Sequence, residues 1–167
     1  RGLTTTQPNP RVGCVLVREG VVVGEGWHQR AGEAHAEIHA LRMAGERAFG
    51  ATAFVTLEPC GLHGRTPPCA DALIQAGVAR VVIASEDRFQ HEGGAIERMR
   101  AAGIQVQLGL LRDAARELNI GFFKRVETGR PFVRLKLAMS LDGRTALASG
   151  ESKWITGKAA RADVQHW

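Results

Sequence analysis

Long apolar runs are missing from this chain. The longest strictly aliphatic stretches span a few residues, such as Val81-Val82-Ile83-Ala84, against the roughly 20 that a membrane-spanning helix needs. A helical membrane protein is therefore not expected. No basic-then-apolar leader is visible, although the first residue is Arg1 rather than Met and the natural start is expected to lie upstream. Cysteine is scarce and odd in number, with only Cys14, Cys60 and Cys69. That argues against a disulfide framework and for a reducing, cytoplasmic setting. Internal repeats and low-complexity segments are also missing.

Basic charge is lacking where a nucleic-acid face would need it. Residues 1–111 hold 11 Arg and 11 Asp+Glu, which cancel; residues 112–167 hold 11 Lys+Arg and 6 Asp+Glu, which leaves the whole net charge of +5. A nucleic-acid binder concentrates basic charge on its working face. The metal-binding pattern described below lies in the neutral part, so no nucleic-acid partner is expected. The basic tail reads as solvated surface or as a pocket for an anionic ligand.

What is present is the composition of an ordinary globular protein, with 44% apolar and 23% charged residues. At 167 residues, such a chain can bury roughly 70% of the surface that its unfolded form exposes. Residues 12–18 and 21–27 read as a Val-rich hairpin turned at Glu19-Gly20. A helix over 34–46 and a strand over 52–57 follow. Pro67-Pro68 opens a further helix and Gly77 closes it. Residues 80–85 form a short apolar strand of the kind covered on both faces. Then come a helix near 94–102, a strand near 104–108 and a helix near 113–125. A hairpin followed by alternating helix and strand predicts an α/β fold. The expected architecture is one mixed, mainly parallel sheet between helices on both faces, in three layers.

Gly129-Arg130-Pro131 marks a boundary. Beyond it Val133, Leu135, Leu137, Met139 and Leu141 alternate with Arg134, Lys136, Ala138 and Ser140, a period-2 strand pattern that needs a core on one face. Residues 157–167 read as part of a helix. The expectation is a first domain over 1–127 and the truncated start of a second over 131–167, in a chain that is a fragment.

The strongest chemical signal is His35-Ala36-Glu37, then Pro59-Cys60, then Cys69. Catalytic zinc sites commonly have three protein ligands and leave the fourth position to water. One imidazole and two thiolates make such a set, and the ion lowers the pKa of its water toward about 7. Glu37, two residues past His35 near a helix start, can project beside the metal and move protons without binding it. Zinc nucleobase deaminases carry His-x-Glu and then Pro-Cys-x-x-Cys; here the second cysteine comes nine residues after the first. A structural zinc site is the rival reading, but it more often closes with four ligands and gives Glu37 no task. His35 and His39 are four apart, as in zincins, yet the order His-Ala-Glu-Ile-His lacks the Glu directly after the first His. His39 is therefore expected to be a satisfied histidine, either just behind the metal ligands or in the core.

Pro8-Asn9-Pro10-Arg11-Val12-Gly13, Gly24-Glu25-Gly26-Trp27-His28, His35-Ala36-Glu37, Thr56-Leu57-Glu58-Pro59-Cys60 and Gly64-Arg65-Thr66-Pro67-Pro68-Cys69 together resemble the bacterial riboflavin-biosynthesis family of fused pyrimidine deaminases and reductases. The wide cysteine spacing is the specific part of the match. Past the boundary, Lys136-Leu137-Ala138-Met139-Ser140-Leu141-Asp142-Gly143 and Ser152-Lys153-Trp154-Ile155-Thr156 resemble the opening of that family's reductase domain, which is similar to dihydrofolate reductase and uses NADPH.

The resemblance implies a cytidine-deaminase-like first domain acting on a small phosphorylated pyrimidine. The implied substrate is 2,5-diamino-6-ribosylamino-4(3H)-pyrimidinone 5′-phosphate and the product 5-amino-6-(5-phosphoribosylamino)uracil. It implies that His35, Cys60 and Cys69 bind Zn2+, that Glu37 is catalytic, and that Asn9, His28 and Arg65 contact substrate, Arg65 near its phosphate. In the second domain it implies NADP contacts at Ala138 and Trp154 and a substrate contact at Ser152. A homo-oligomer is also implied. Two departures stand out. The family usually has a polar pair such as Ser-His after the first zinc cysteine, where this chain has Gly61-Leu62. It usually has Asp-Pro-Asn-Pro and a Gly-rich stretch where this chain has residues 87–94. Polar partners lost from a hydrogen-bonding site lower affinity or signal a changed substrate. Another zinc deaminase substrate and a non-catalytic zinc module therefore stay open as alternatives.

Overall fold

The computed structural model describes residues 2–64, 67–87 and 93–166. Two compact units divide the chain, residues 1–132 and 133–167.

In the first unit, β1 (Gly13–Arg18) and β2 (Val21–Trp27) form the antiparallel hairpin. Glu19 and Gly20 both take positive φ there, which matches the right-handed twist of the flanking strands. Next come α1 (Ala36–Ala44), a 3-10 turn over Gly45–Ala48, β3 (Thr52–Leu57), α2 (Cys69–Gln75) and β4 (Arg80–Ser85). The unit ends with α3 (Ala95–Ala101), β5 (Gln105–Leu108), α4 (Arg112–Leu118) and α5 (Ile120–Thr128). The sheet order is β2-β1-β3-β4-β5. Two pairings are antiparallel, β1 with β2 and with β3, and two are parallel, β3 with β4 and β4 with β5. The sheet is thus mixed, as expected, with four of its five strands running one way, while β1 opposes both of its neighbours. The reason is topological: β3 runs in the direction of β2 yet lands beside β1.

The core fills one face of the sheet. Cys14, Leu16, Ala53, Val55, Val81 and Ile83 meet Ala36, Ala40 and Ala44 of α1, Leu73 of α2 and Met99 of α3. Cys14 is a small buried hydrophobe within the apolar strand β1. On the other face α4 covers β3 and β4, which completes a three-layer α/β/α arrangement.

The contact between α1 and β2 is unusually close, and the residue sizes explain it. Ala36, Ala40 and Ala44 recur every fourth residue along one buried stripe. They lie over Gly24 and Gly26. A Cβ on Gly26 would sit 2.2 Å from the Ala36 carbonyl oxygen, and one on Gly24 2.3 Å from that of Ala40. The helix rests on bare strand backbone, which only glycine permits.

The helix expected near 113–125 is two helices. The break falls at Asn119, which is buried with φ −120°. Its Oδ1 accepts the Arg11 N–H at 2.7 Å and its Nδ2 donates to the Arg11 carbonyl at 2.7 Å. The Arg11 guanidinium in turn donates to the Leu118 carbonyl at 2.8 Å. This latch fixes the start of α5 against the segment before β1. Asn119→Ala removes both hydrogen bonds to the half-buried Arg11 backbone and should cost about 1 kcal/mol or somewhat more. Each kcal/mol lowers Tm by roughly 2–4 °C in a chain of this size. A thermal melt followed by circular dichroism checks this; an unchanged Tm would remove the latch from the stabilising contacts.

The second unit contains α6 (Lys158–Asp163) and a 3-10 turn over Val164–His166. The strand expected over 133–141 does not form. Its apolar positions stand in solvent, with Val133 and Leu135 each 78% exposed. Alternation alone does not make a strand, because the backbone groups need a hydrogen-bonded neighbour, and the described residues of this unit contain no second strand. No helix among the described residues is long and apolar enough to cross a membrane.

Candidate metal centre

Three elements converge at one end of the first unit. His35 is the last extended residue before α1, with ψ 167°. Cys60 follows the end of β3. Cys69 is the first residue of α2, directly after Pro67-Pro68. The nine-residue cysteine spacing therefore closes a loop between a strand end and a helix start.

The donor atoms of His35, Cys60 and Cys69 all lie within 4.8 Å of one another, the only such group among the described residues. Cys60 Sγ is 3.5 Å and Cys69 Sγ 3.3 Å from His35 Nδ1. A tetrahedral zinc, with Zn–S near 2.3 Å and Zn–N near 2.0–2.1 Å, would separate N from S by roughly 3.6 Å. The three residues fit that ion. His39, one turn along α1, is not in the group. Its Nε2 is buried without a partner among the described residues, which differs from the satisfied histidine expected from the sequence.

The thiols are unequal. The Cys69 thiol and backbone N–H, the latter at 3.2 Å, both point at Cys60 Sγ. Hydrogen bonding from Cys69 holds the Cys60 thiol down to about 4, against burial that raises it. The same bond, with burial, pushes the Cys69 thiol far up. His35 is raised, chiefly by its hydrogen bond to Cys60.

Glu37 stands on the first turn of α1, 2% exposed. Burial pushes its carboxyl up to about 7. The carboxyl lies against the Cys69 side chain, yet Oε2 is buried with no partner among the described residues. A buried acceptor without a partner is costly, so its presence beside a donor triad marks a position prepared for something else. A carboxyl near neutrality can both take and give a proton.

Asn9 and His28 come together beside the donor triad, with the His28 ring edge-on to the His35 ring at 5.4 Å between centroids. His28 is 3% exposed, so it is not a solvated strand-end residue. Its Nδ1 lies 3.2 Å from the Ala34 carbonyl and its Nε2 3.1 Å from Asn9 Nδ2. A carbonyl only accepts, so Nδ1 carries the proton and Nε2 accepts from the Asn9 amide. Burial lowers the His28 pKa, which keeps the ring neutral. The Asn9 N–H also closes a turn to the Thr6 carbonyl at 2.8 Å, so turn geometry and side-chain contact coexist there.

These residues line a cavity of about 230 Å³ together with Pro8, Pro10, Val12, Leu57, Glu58, Asp87, Phe122 and Arg125. Asp87 N–H donates to Glu58 Oε2 at 3.0 Å, and Glu58 N–H to the Ser85 carbonyl at 2.9 Å. The ends of β3 and β4 are thereby tied where they open on the cavity. A larger cavity of about 780 Å³ lies over the other sheet face, walled by Val15, Phe54, Val82 and Leu118. Size does not locate the chemistry here, because His35, Cys60 and Glu37 border the smaller one.

Of the residues read from the sequence, Asn9, His28, His35, Glu37, Cys60 and Cys69 are gathered at one place. Arg65 lies outside the described residues, as do 88–92 of the altered loop. Ala138, Ser152 and Trp154 belong to the second unit, where the Arg161 guanidinium sits 4.1 Å from the Trp154 ring centroid. Phe122, Arg125 and Asp87 were not foreseen as lining residues. The two altered loops touch each other. A Cβ on Gly61 would lie 2.6 Å from the Gly93 carbonyl oxygen, and one on Gly93 2.9 Å from the Gly61 carbonyl carbon. The missing side chain at 61 is thus matched to the course of the chain at 93.

Comparison with known proteins agrees with this architecture. Residues 2–85 match the family described as cytidine and deoxycytidylate deaminase zinc-binding region. Residues 131–167 match the RibD C-terminal domain. The chain is 64% identical over 166 residues to riboflavin biosynthesis protein RibD of Escherichia coli, a match covering 99% of this chain and 45% of that protein. It is 52% identical over 131 residues to a diaminohydroxyphosphoribosylamino-pyrimidine deaminase of Buchnera aphidicola, covering 78% of this chain and 89% of that protein. Among solved structures, Acinetobacter baumannii RibD superposes with a TM-score of 0.92 at 58% identity, over 100% of this chain and 47% of that one. The chain spans about half the length of the RibD relatives it matches.

Proposed function

The chain belongs to the RibD family, and from that premise we propose that residues 1–127 form a zinc-dependent pyrimidine deaminase domain. Residues 131–167 are then the beginning of a reductase-type domain. The substrate follows from the relatives' chemistry: 2,5-diamino-6-ribosylamino-4(3H)-pyrimidinone 5′-phosphate, hydrolysed to 5-amino-6-(5-phosphoribosylamino)uracil and ammonia. The observation that carries this reading is the meeting of His35, Cys60 and Cys69 beside a buried carboxylate with an unpartnered oxygen.

In this mechanism His35, Cys60 and Cys69 hold Zn2+. Bound there, the ion acidifies a water toward a pKa of about 7 and offsets developing negative charge. Glu37 Oε2 takes a proton from the attacking water and delivers it to the ring nitrogen beside the reacting carbon. It then takes the remaining proton from the hydroxyl that the addition has formed and gives it to the amino nitrogen, so that the C–N bond breaks, the carbonyl forms and ammonia leaves. His28 fixes the Asn9 amide, which leaves Asn9 Oδ1 to accept from an N–H on the pyrimidine. Leu57 and Phe122 supply apolar walls of the cavity. The family resemblance alone assigns Arg65 to the phosphate. In the longer relatives' architecture, NADPH-dependent reduction falls to the second domain, with Ala138 and Trp154 toward the dinucleotide and Ser152 toward its substrate. A cytoplasmic homo-oligomer completes the proposal.

The test is ammonia release from that substrate by metal-replete protein. Release should vanish on chelation and return with added Zn2+. No release from folded, zinc-loaded protein would defeat the substrate assignment. A different nucleobase-like substrate is the second reading, favoured by the paired departure at Gly61 and Gly93; a panel of aminopyrimidines and aminopurines separates the two.

A further inference from the structure

We propose that Arg125, with Phe122 one turn before it on α5, forms the subsite that holds the anionic end of the substrate. The proposal rests on the deaminase reading above and adds to it a residue that no sequence motif marks.

The cavity beside the metal ligands holds about 230 Å³. Pockets that enclose a whole drug-sized ligand run from roughly 300 to 1,000 Å³. This one takes a single heterocycle and leaves a sugar phosphate at its mouth. The described lining carries three carboxylates, Glu37, Glu58 and Asp87, and one guanidinium, Arg125. A phosphate dianion at that mouth is repelled by the first three and needs the fourth. Arg125 is also free to serve. Arg98, Arg112 and Arg116 are ion-paired to Asp71, Glu86 and Glu127 respectively. Among the described residues the Arg125 guanidinium makes a single long contact, Nη2 to the Pro8 carbonyl at 3.5 Å. The rest of its fork is available for the two-pronged contact that guanidinium makes with phosphate.

Position supports the same assignment. Phe122 and Arg125 are three apart on α5 and so share a helix face. The Asn119–Arg11 latch pins the start of that helix to the segment carrying Asn9. The wall that meets the ring and the wall that meets the phosphate are therefore one rigid piece. A heterocycle lying against Asn9 and His28 would send its ribose past Phe122 toward Arg125.

The experiment compares wild type, Arg125→Gln and Arg125→Lys as the full 167-residue chain. Two substrates are used, the phosphorylated pyrimidine and its dephosphorylated nucleoside. Arg125→Gln should raise KM for the phosphorylated form by about ten- to a hundredfold, leave kcat within a factor of about two, and leave KM for the nucleoside unchanged. Arg125→Lys should recover part of the loss. A merely structural role would shift both substrates alike, and that outcome overturns the proposal, as does an unchanged KM. Calorimetric binding of ribose 5-phosphate to the same proteins reads the subsite without turnover. It should weaken at least about tenfold in Arg125→Gln. Equal affinity overturns the Arg125 assignment, whereas absence of ammonia release in wild type with intact ribose 5-phosphate binding overturns the deaminase reading alone.

Discussion

Glu37→Gln should keep the metal and stop turnover. The substitution preserves shape and removes the proton carrier, and a positioned general acid–base group contributes about 10²- to 10⁴-fold. The loss here is expected at or above the upper end, because one carboxyl serves both the attacking water and the departing amine. Two features sharpen the expectation. Glu37 is buried to 2% exposure, so solvent cannot take over its task. Its Oε2 has no partner among the described residues, so the amide breaks no contact seen at that atom. Steady-state ammonia release and metal content, measured on one preparation, check it. Activity near wild type would remove Glu37 from the chemistry, and loss of zinc would make it a structural residue.

Gly26→Ala should dismantle the same site without touching a ligand. The added methyl would meet the Ala36 carbonyl oxygen at 2.2 Å and the Ala40 nitrogen at 2.6 Å, both backbone atoms that no rotamer change can move. Overpacking a core costs roughly 1–3 kcal/mol where side chains can adjust, and here they cannot. The helix must lift off the strand, and His35 and Glu37 sit at the end that lifts. The expected result is a fall in Tm together with weaker zinc retention, read by a thermal melt and by competition with a chromophoric chelator. Gly20→Ala is the control, since a Cβ there meets nothing within 4 Å and only the turn, at φ +77°, is strained. Zinc affinity equal to that of wild type in Gly26→Ala would show that α1 can shift without disturbing its first residues.

Much of this was readable in the sequence, for reasons that are local. The strands over 52–57 and 80–85 are apolar runs bounded by turn residues, and a run of that kind carries its own limits. The donor set was legible because Pro59-Cys60 and His35-Ala36-Glu37 place their side chains by short-range geometry. What stayed hidden depends on distant partners. The break at Asn119 is caused by Arg11, 108 residues earlier, so the amphipathic pattern read straight through it. Phe122 and Arg125 reach the cavity only because that break re-aims α5. The glycine at 61 looks like a lost polar residue until Gly93 is seen against it. The alternation over 133–141 is real as a pattern, yet a strand also needs a neighbour, and sequence periodicity does not supply one.

The sheet order has a kinetic consequence. β1 lies between β2 and β3, so His35 arrives from the hairpin side while Cys60 and Cys69 come from beyond β1. The donors cannot meet until the crossover through α1 has closed and β3 has paired. Such non-local closure is slow, because chain entropy is lost before contacts repay it. Zinc added to a refolding chain should therefore bind in a late phase, after the hairpin and helices have formed, and should slow unfolding more than it speeds folding.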